Sequence, residues 1–356
     1  LDMSVLSTSD VRALSSNALA GLSSAQAHVL SSSQAAALTS SQTAAMGTDE
    51  VAALLTEAVK GLTTAAVRAL GTASISAMGT DQIAVLSTAD IAAMTTSQIA
   101  ALGTAQIVAL TSADTAALSS AQAMVLNSTQ VAAMETADFA TLGTTAIRAL
   151  RTEAIAALGT ADIAVLSTAQ IVAMGTAQIA ALTTANIAAI TTADAAAMTT
   201  AQLSALSSTQ VAAISTQDLS VMSSSAIRAL SVAAPGGMSS TQAHILTSTQ
   251  AASLTSAQTA VMATDVTVAL LTEAVAALST AAVRAFSTAS IAALETAQIA
   301  VLTTADIVAL TTEQFSAFNT AQIVALTTAQ ALSLTTNDIR VLSSAQFAAF
   351  QTEDLA

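Results

Sequence analysis

The chain of 356 residues has no cysteine, no tryptophan and no tyrosine, a single proline, and eight basic residues against 22 acidic ones. Each shortage removes a class of protein. Without cysteine there is neither a disulfide framework nor a thiolate metal site, although any compartment stays open. A net charge of −14 makes nucleic acid and anionic membrane surfaces poor partners. Ser or Thr recurs so often that no apolar run approaches the ~18 residues of a membrane span, and no secretion signal opens the chain. With aromatics at 2%, rings cannot build the core. A hydrophobic content of 53% and a mean hydropathy of +0.69 still exclude a charged, disordered tail. Alanine is the largest share of that content, so the core must be thin, with one or two large residues per unit. There is no initiating Met, and both ends fall in mid-pattern, at Leu1-Asp2-Met3 and Glu353-Asp354-Leu355-Ala356. A mature fragment, or a stretch of a longer repetitive protein, is expected. Acidity, Ser/Thr/Ala richness and the lack of cysteine together fit a bacterial secreted or surface protein.

What is present is a repeat of eight residues that never loses register. From Leu6 to Phe350 in steps of eight there are 44 positions, and every one is Leu, Met, Ile or Phe. A short fixed period means a one-dimensional array, in which each unit touches its neighbours. That overrides the two or three globular domains the length would otherwise suggest. With the large apolar residue at position 0, a representative octad is Leu102-Gly103-Thr104-Ala105-Gln106-Ile107-Val108-Ala109. Position +2 is Ser or Thr in 43 of the 44 octads, Val232 being the exception. Position +4 is mostly Gln or Asp, +5 mostly Ile or Val, and +7 nearly always Ala.

One short helix per octad satisfies this pattern. A continuous helix would drift by about 80° per octad and form no stripe, and coiled-coil periods are missed. Strand alternation fails because positions 0, +5 and +8 are not spaced by two. The recurrent Ser/Thr at +2 has N-cap chemistry; the alternative places the cap at +1, with the +4 Gln completing a capping box. Seven glycines at +1, among them Gly71 and Gly103, suit a left-handed residue after a helix end. All acids fall at +1, +3 or +4, and seven of eight bases at +6, Arg151 being the exception. That is the polarity a helix dipole favours. Helices this short cannot stand alone, so stability must come from stacking.

The expected fold is therefore an all-α solenoid of very short, about two-turn helices, one per octad, with two helices per coil. A third helix should leave a central hole that Ala cannot fill. A weak alternation of Met, Ile and Phe at position 0 between even and odd octads points the same way. The 44 octads would then make 22 coils, a rod on the order of 200 Å. Residues 1–356 form one continuous octad array carrying a longer repeat. Residues 22–70 match 238–286 at 33 of 49 positions, an offset of 216. The block runs 14–229, with a partial copy over 230–356, and its least regular octads lie at 15–21 and 231–237. Pro235 should disturb its helix. The offset is 27 octads, an odd number, which sits poorly with a strict two-fold coil.

No residue is expected to be catalytic, to bind a cofactor or to hold a metal. His28 and His244 are copies of one another; a ligand role is possible in principle, but +6 is a surface position and two distant imidazoles make no metal site. Asp49-Glu50 and Glu353-Asp354 could meet a calcium ion, yet no calcium loop surrounds them. The +4 Gln/Asp column reads as capping and solvation, with a binding or self-association face as the sharper alternative. Paired Thr at +1 and +2 could order water, as on an ice-binding surface; caps account for one Thr of each pair. The serines lack any His/Asp constellation. Phe315, Phe318, Phe347 and Phe350 fall at +5 and 0, as core or sealing residues.

Octads such as Leu166-Ser167-Thr168-Ala169-Gln170-Ile171-Val172-Ala173 resemble the "LTTAQIAAL" tracts of very large repetitive proteins of proteobacteria. The resemblance covers essentially the whole chain. It implies a secreted or surface structural protein and says nothing of an activity. The expected function is a non-enzymatic rod, stalk or filament at or outside the bacterial surface. Its partners would be other copies, associated head to tail or laterally, or other surface proteins, with no nucleic acid and no membrane insertion. The rivals are a protein-binding scaffold or adhesin stalk using a Gln/Asp face or an Arg face (Arg68, Arg148, Arg228, Arg284), and an ice- or surface-binding Thr array.

Overall fold

The computed structural model describes residues 3–230 and 235–350. Among them are 42 α-helices of four to six residues, two three-residue 3-10 turns and no strand. Helices begin every eight residues, as in Thr88–Ala93, Thr96–Ala100 and Thr104–Val108. The packing divides into two units, Leu1–Ala181 and Leu182–Ala356, each built by the same rules.

The helix start lies at the alternative place. Position +1 is the N-cap, and the near-invariant Ser/Thr at +2 is the first helical residue. Thr95 is extended (φ −71, ψ 156). Its N–H donates to Gln98 Oε1 at 2.8 Å, and the Gln98 N–H donates to Thr95 Oγ1 at 3.2 Å. This reciprocal capping box recurs at Ser119–Gln122 and Asn127–Gln130. At several +2 positions the hydroxyl reaches the next coil. Ser40 Oγ donates to the Ala65 carbonyl at 3.2 Å, and Ser224 Oγ to the Thr249 carbonyl at 3.0 Å.

The glycines at +1 are also N-caps, not left-handed helix ends. Gly71 has φ −65 and Gly103 φ −75, and no residue among those described has positive φ. Position 0 ends the helix without reversing the chain. Leu70 (φ −57, ψ 141) passes directly into extended backbone, while its N–H donates to the Val67 carbonyl at 3.2 Å. A tightened last turn of this kind satisfies carbonyls that a left-handed cap would otherwise serve.

The coil contains three helices, not two. Within each unit a helix packs on the third one along: Ser32–Ala37 on Thr56–Gly61, Ser120–Val125 on Thr144–Ala149, and Ser248–Ala251 on Thr272–Ala277. A coil is thus 24 residues. The feared central hole is filled because the +5 side chains of three successive helices converge there. Ile83, Ile91 and Ile99 are 0–1% exposed, while Leu86 and Met94 at position 0 fill the corners. Each such side chain contributes on the order of 1.5–3 kcal/mol. The alternation of Met, Ile and Phe at position 0 carried no structural information. The 216-residue offset did, since it is nine coils of 24, so copied residues keep their place within a coil.

The irregular octads differ from each other. Residues 15–21 hold an ordinary helix, Ser16–Ala20, whereas Pro235–Gly237 is a 3-10 turn where other octads place an α-helix. Residues 231–234 of that octad lie outside the described residues.

Candidate functional site

The recurring polar chemistry sits at the corners of the coil, and it faces inward. Gln98 is 1% exposed. Its Oε1 serves the Thr95 cap, and its Nε2 donates to the carbonyls of Val67 at 3.0 Å and Leu70 at 2.9 Å, 31 and 28 residues earlier. Those carbonyls belong to the corner one coil before. The same clamp joins Gln42 to Val11 and Leu14, Gln122 to Ile91 and Met94, and Gln250 to Leu219 and Met222. The helix-start side chain therefore staples coil to coil. The +4 column is consequently no binding face. Its amides are consumed internally, because leaving the corner carbonyls buried and unpaired would cost about 1–3 kcal/mol each.

Where +4 is Asp, the carboxylate can accept from the neighbouring coil instead of donating to it, and at Asp162 the second oxygen also accepts from the Gly159 N–H of its own helix start. Asp138 Oδ1 accepts from Ser112 Oγ at 2.7 Å, Asp162 Oδ1 from Thr136 Oγ1 at 2.8 Å, and Asp218 Oδ1 from Thr192 Oγ1 at 2.8 Å. At Asp10 the Ser7 hydroxyl, and then the Ser7 backbone N–H, hold the carboxyl below its ordinary pKa.

The remaining candidates lie outside the coil and do not converge. His28 and His244 are exposed, and each Nδ1 meets the carbonyl of an Ala at +7 of the next coil, Ala53 at 3.1 Å and Ala269 at 3.2 Å. His244 borders an open groove of about 480 Å³ with Asp265, Leu271 and Glu295. Among the described residues, no three His, Cys, Asp or Glu side chains come together to hold a metal. Asp49 and Glu50 occupy the first turn of Thr48–Ala53; Glu353 and Asp354 lie outside the described residues. There is no arginine face within either unit. Arg68 and Arg148 are ten octads apart and Arg228 and Arg284 seven; neither number is a multiple of three, so each pair is split between different helix columns. Arg151, at a cap position, donates to the Leu126 carbonyl at 3.3 Å, again one coil back.

Of the Thr pairs, the +1 hydroxyl is engaged within its own capping box, as Thr95 Oγ1 is with Gln98 Oε1 at 3.2 Å. Phe315 and Phe318 are buried, with ring centroids 5.0 Å apart; Phe347 is half exposed and Phe350 buried. No helix among the described residues is long and apolar enough to cross a membrane. The corner clamp was not recognised from sequence. The signal that could have found it is the 24-residue spacing of Asp90, Asp114, Asp138 and Asp162, which places one residue type on one corner of four successive coils.

These features define a repetitive, all-helical protein whose recurring polar positions help hold the coils together. The ALTTAQ repeat model matches residues 3–40, 51–88, 83–120, 131–167, 155–192, 187–217, 267–304 and 299–336, most of the chain. The chain belongs to the ALTTAQ repeat family. No curated protein and no solved structure matches it.

Proposed function

We propose that this chain is non-enzymatic structural material, serving as a rod, stalk or filament segment at or outside the bacterial cell surface. The observation that carries the reading is the corner clamp. Within each unit, coil after coil is joined to its neighbour by a Gln amide at the same octad position, so coils of this kind can be added by repeating one contact. An array of this kind offers length rather than a pocket. A cut through the stack leaves corner carbonyls on one side and, where +4 is Gln, amides on the other. Two such surfaces are complementary, and repeating the match produces open head-to-tail filaments. An acidic exterior keeps such a segment away from nucleic acid and anionic lipid, and the lack of cysteine suits a location where thiols would oxidise. The rival Gln/Asp and Arg faces gain no support, since the first is buried and the second is dispersed.

Negative-stain electron microscopy of the purified chain tests the proposal. About 15 coils at ~8–10 Å each give narrow particles on the order of 120–150 Å, or filaments many times longer at higher concentration. Compact, equidimensional particles at every concentration would sink it.

A further inference from the structure

Asp90 and Asp306 are copies 216 residues apart, and they share an unsatisfied atom. In each, one carboxylate oxygen holds the helix cap. Asp90 Oδ2 accepts from Ser87 N at 3.0 Å and Ser87 Oγ at 2.6 Å. Asp306 Oδ2 accepts from Thr303 N at 2.8 Å and Thr303 Oγ1 at 2.7 Å. The other oxygen, Oδ1, is buried without a hydrogen-bond partner in both, on side chains only 7% and 4% exposed. A charged group left half-satisfied in the interior is costly, and here it occurs in two copies of the same block.

The surroundings of Oδ1 follow from the register. At Asp138, Asp162 and Asp218 this atom accepts from a hydroxyl 26 residues earlier. The corresponding residues for Asp90 and Asp306 are Thr64 and Thr280, which make no such bond. Gln at this position donates to carbonyls 31 and 28 residues earlier. For Asp90 those are Val59 and Leu62, and for Asp306 they are Val275 and Leu278. Aspartate has no N–H to give them and is one methylene shorter. By this register each corner pairs the carboxylate oxygen with two carbonyl oxygens and a hydroxyl, and Oδ1 receives no hydrogen bond from any of them.

We propose that each of these two corners binds a hard metal cation, Ca²⁺ or Na⁺, through oxygen atoms alone. Carboxylate, carbonyl and hydroxyl oxygens are the ligand types such ions take. One carboxylate per site sets a weak affinity, about 10⁻⁴–10⁻³ M for calcium, the range of extracellular modules. Binding would replace the amide clamp that Gln supplies elsewhere, joining Asp90 to the coil below it.

The test is thermal unfolding of the full chain by circular dichroism. The protein is first treated with EDTA in sodium-free buffer, then given CaCl₂ or NaCl with ionic strength held by choline chloride. Ca²⁺ should raise Tm by a few degrees, with the rise growing as the logarithm of its concentration. The double variant Asp90→Asn/Asp306→Asn should lose the response and still fold. Asn186 already fills this position, accepting from Thr183 N at 3.1 Å and Thr183 Oγ1 at 2.6 Å. Asp90→Gln/Asp306→Gln should melt above the EDTA-treated parent and ignore both salts, because the amide restores the donor. A response to NaCl alone keeps the hard-cation site and excludes calcium. A parent chain unmoved by either salt, or an Asn variant that responds like the parent, overturns the proposal.

Discussion

Helices Ser24–His28, Ser32–Ala37 and Ser40–Ala45 turn around Ala27, Ala35 and Thr43, whereas Thr80–Ala84, Thr88–Ala93 and Thr96–Ala100 turn around Ile83, Ile91 and Ile99. All six core side chains are fully buried, so the same coil tolerates two very different core volumes. The difference is absorbed in the spacing of stacked helices. Ser32–Ala37 runs close to Thr56–Gly61 along most of its length, while Thr80–Ala84 approaches Thr104–Val108 over only a short part. The tight stack brings its own adaptations. Thr43 Oγ1 donates to the Ala66 carbonyl at 3.1 Å, and its copy Thr259 to the Ala282 carbonyl at 2.8 Å. Because an octad cannot change length without losing register, the +5 residue changes the thickness of the coil instead.

The sharpest break of this comparison is to empty the wide coil. Ile91→Ala should cost roughly 2–5 kcal/mol, since rigid neighbours close only part of the cavity. Hydrogen exchange should report the loss in helices adjoining Thr88–Ala93 while leaving Ser24–His28 protected, as expected of a stack with only nearest-neighbour contacts. A cost under about 1 kcal/mol would mean that the wide coil collapses freely to the tight spacing, and that core size does not hold the helices apart.

The converse substitution overfills the tight coil. Ala35→Ile places extra methylenes where Ser32–Ala37 and Thr56–Gly61 are already close, and should destabilise by about 1–3 kcal/mol in urea unfolding. Chemically it makes the octad more typical, so a stabilising result would show that the tight stack is not under compression.

The octad, the single helix per octad and the all-α solenoid were legible from position 0 and from the placement of the charges. The helix count per coil was not. It depends on where Gln98 sends its amide, and a Gln near a helix start reads equally well as a solvated cap. The cap itself was assigned one residue late for a related reason. Recurrence of Ser/Thr at +2 was taken as a local signal, but at Ser40 and Ser224 the hydroxyl serves the neighbouring coil. Local patterns reveal local structure well, and both errors concern contacts about 24 residues away. The divisibility of the 27-octad block by three, and the Asp90–Asp162 column, were the two long-range cues in the sequence.

The smallest effects come from two glycines at the same octad position, +7. Replacing a helical Gly by Ala ordinarily stabilises by about 0.4–1 kcal/mol, because the unfolded chain loses freedom. Gly21 should follow that rule, since a Cβ there would meet only the Asn17 and Ala18 carbonyls of its own helix, at 3.5 and 3.8 Å. Gly61 should reverse the sign. It lies in the tight stack, where an added Cβ would collide with the Ser32 carbonyl oxygen and come within 2.8 Å of the Ser32 Cα. Backbone cannot swing aside as a side chain would, so Gly61→Ala should lose about 1 kcal/mol net. Both variants can be read by the same urea titration. Opposite shifts of midpoint with unchanged slope would show that helix spacing, not helix propensity, decides which residue a +7 position accepts. A gain at both sites would show instead that Ser32–Ala37 and Thr56–Gly61 can separate at little cost, and the contrast between tight and wide coils would then be one of degree, open to either core.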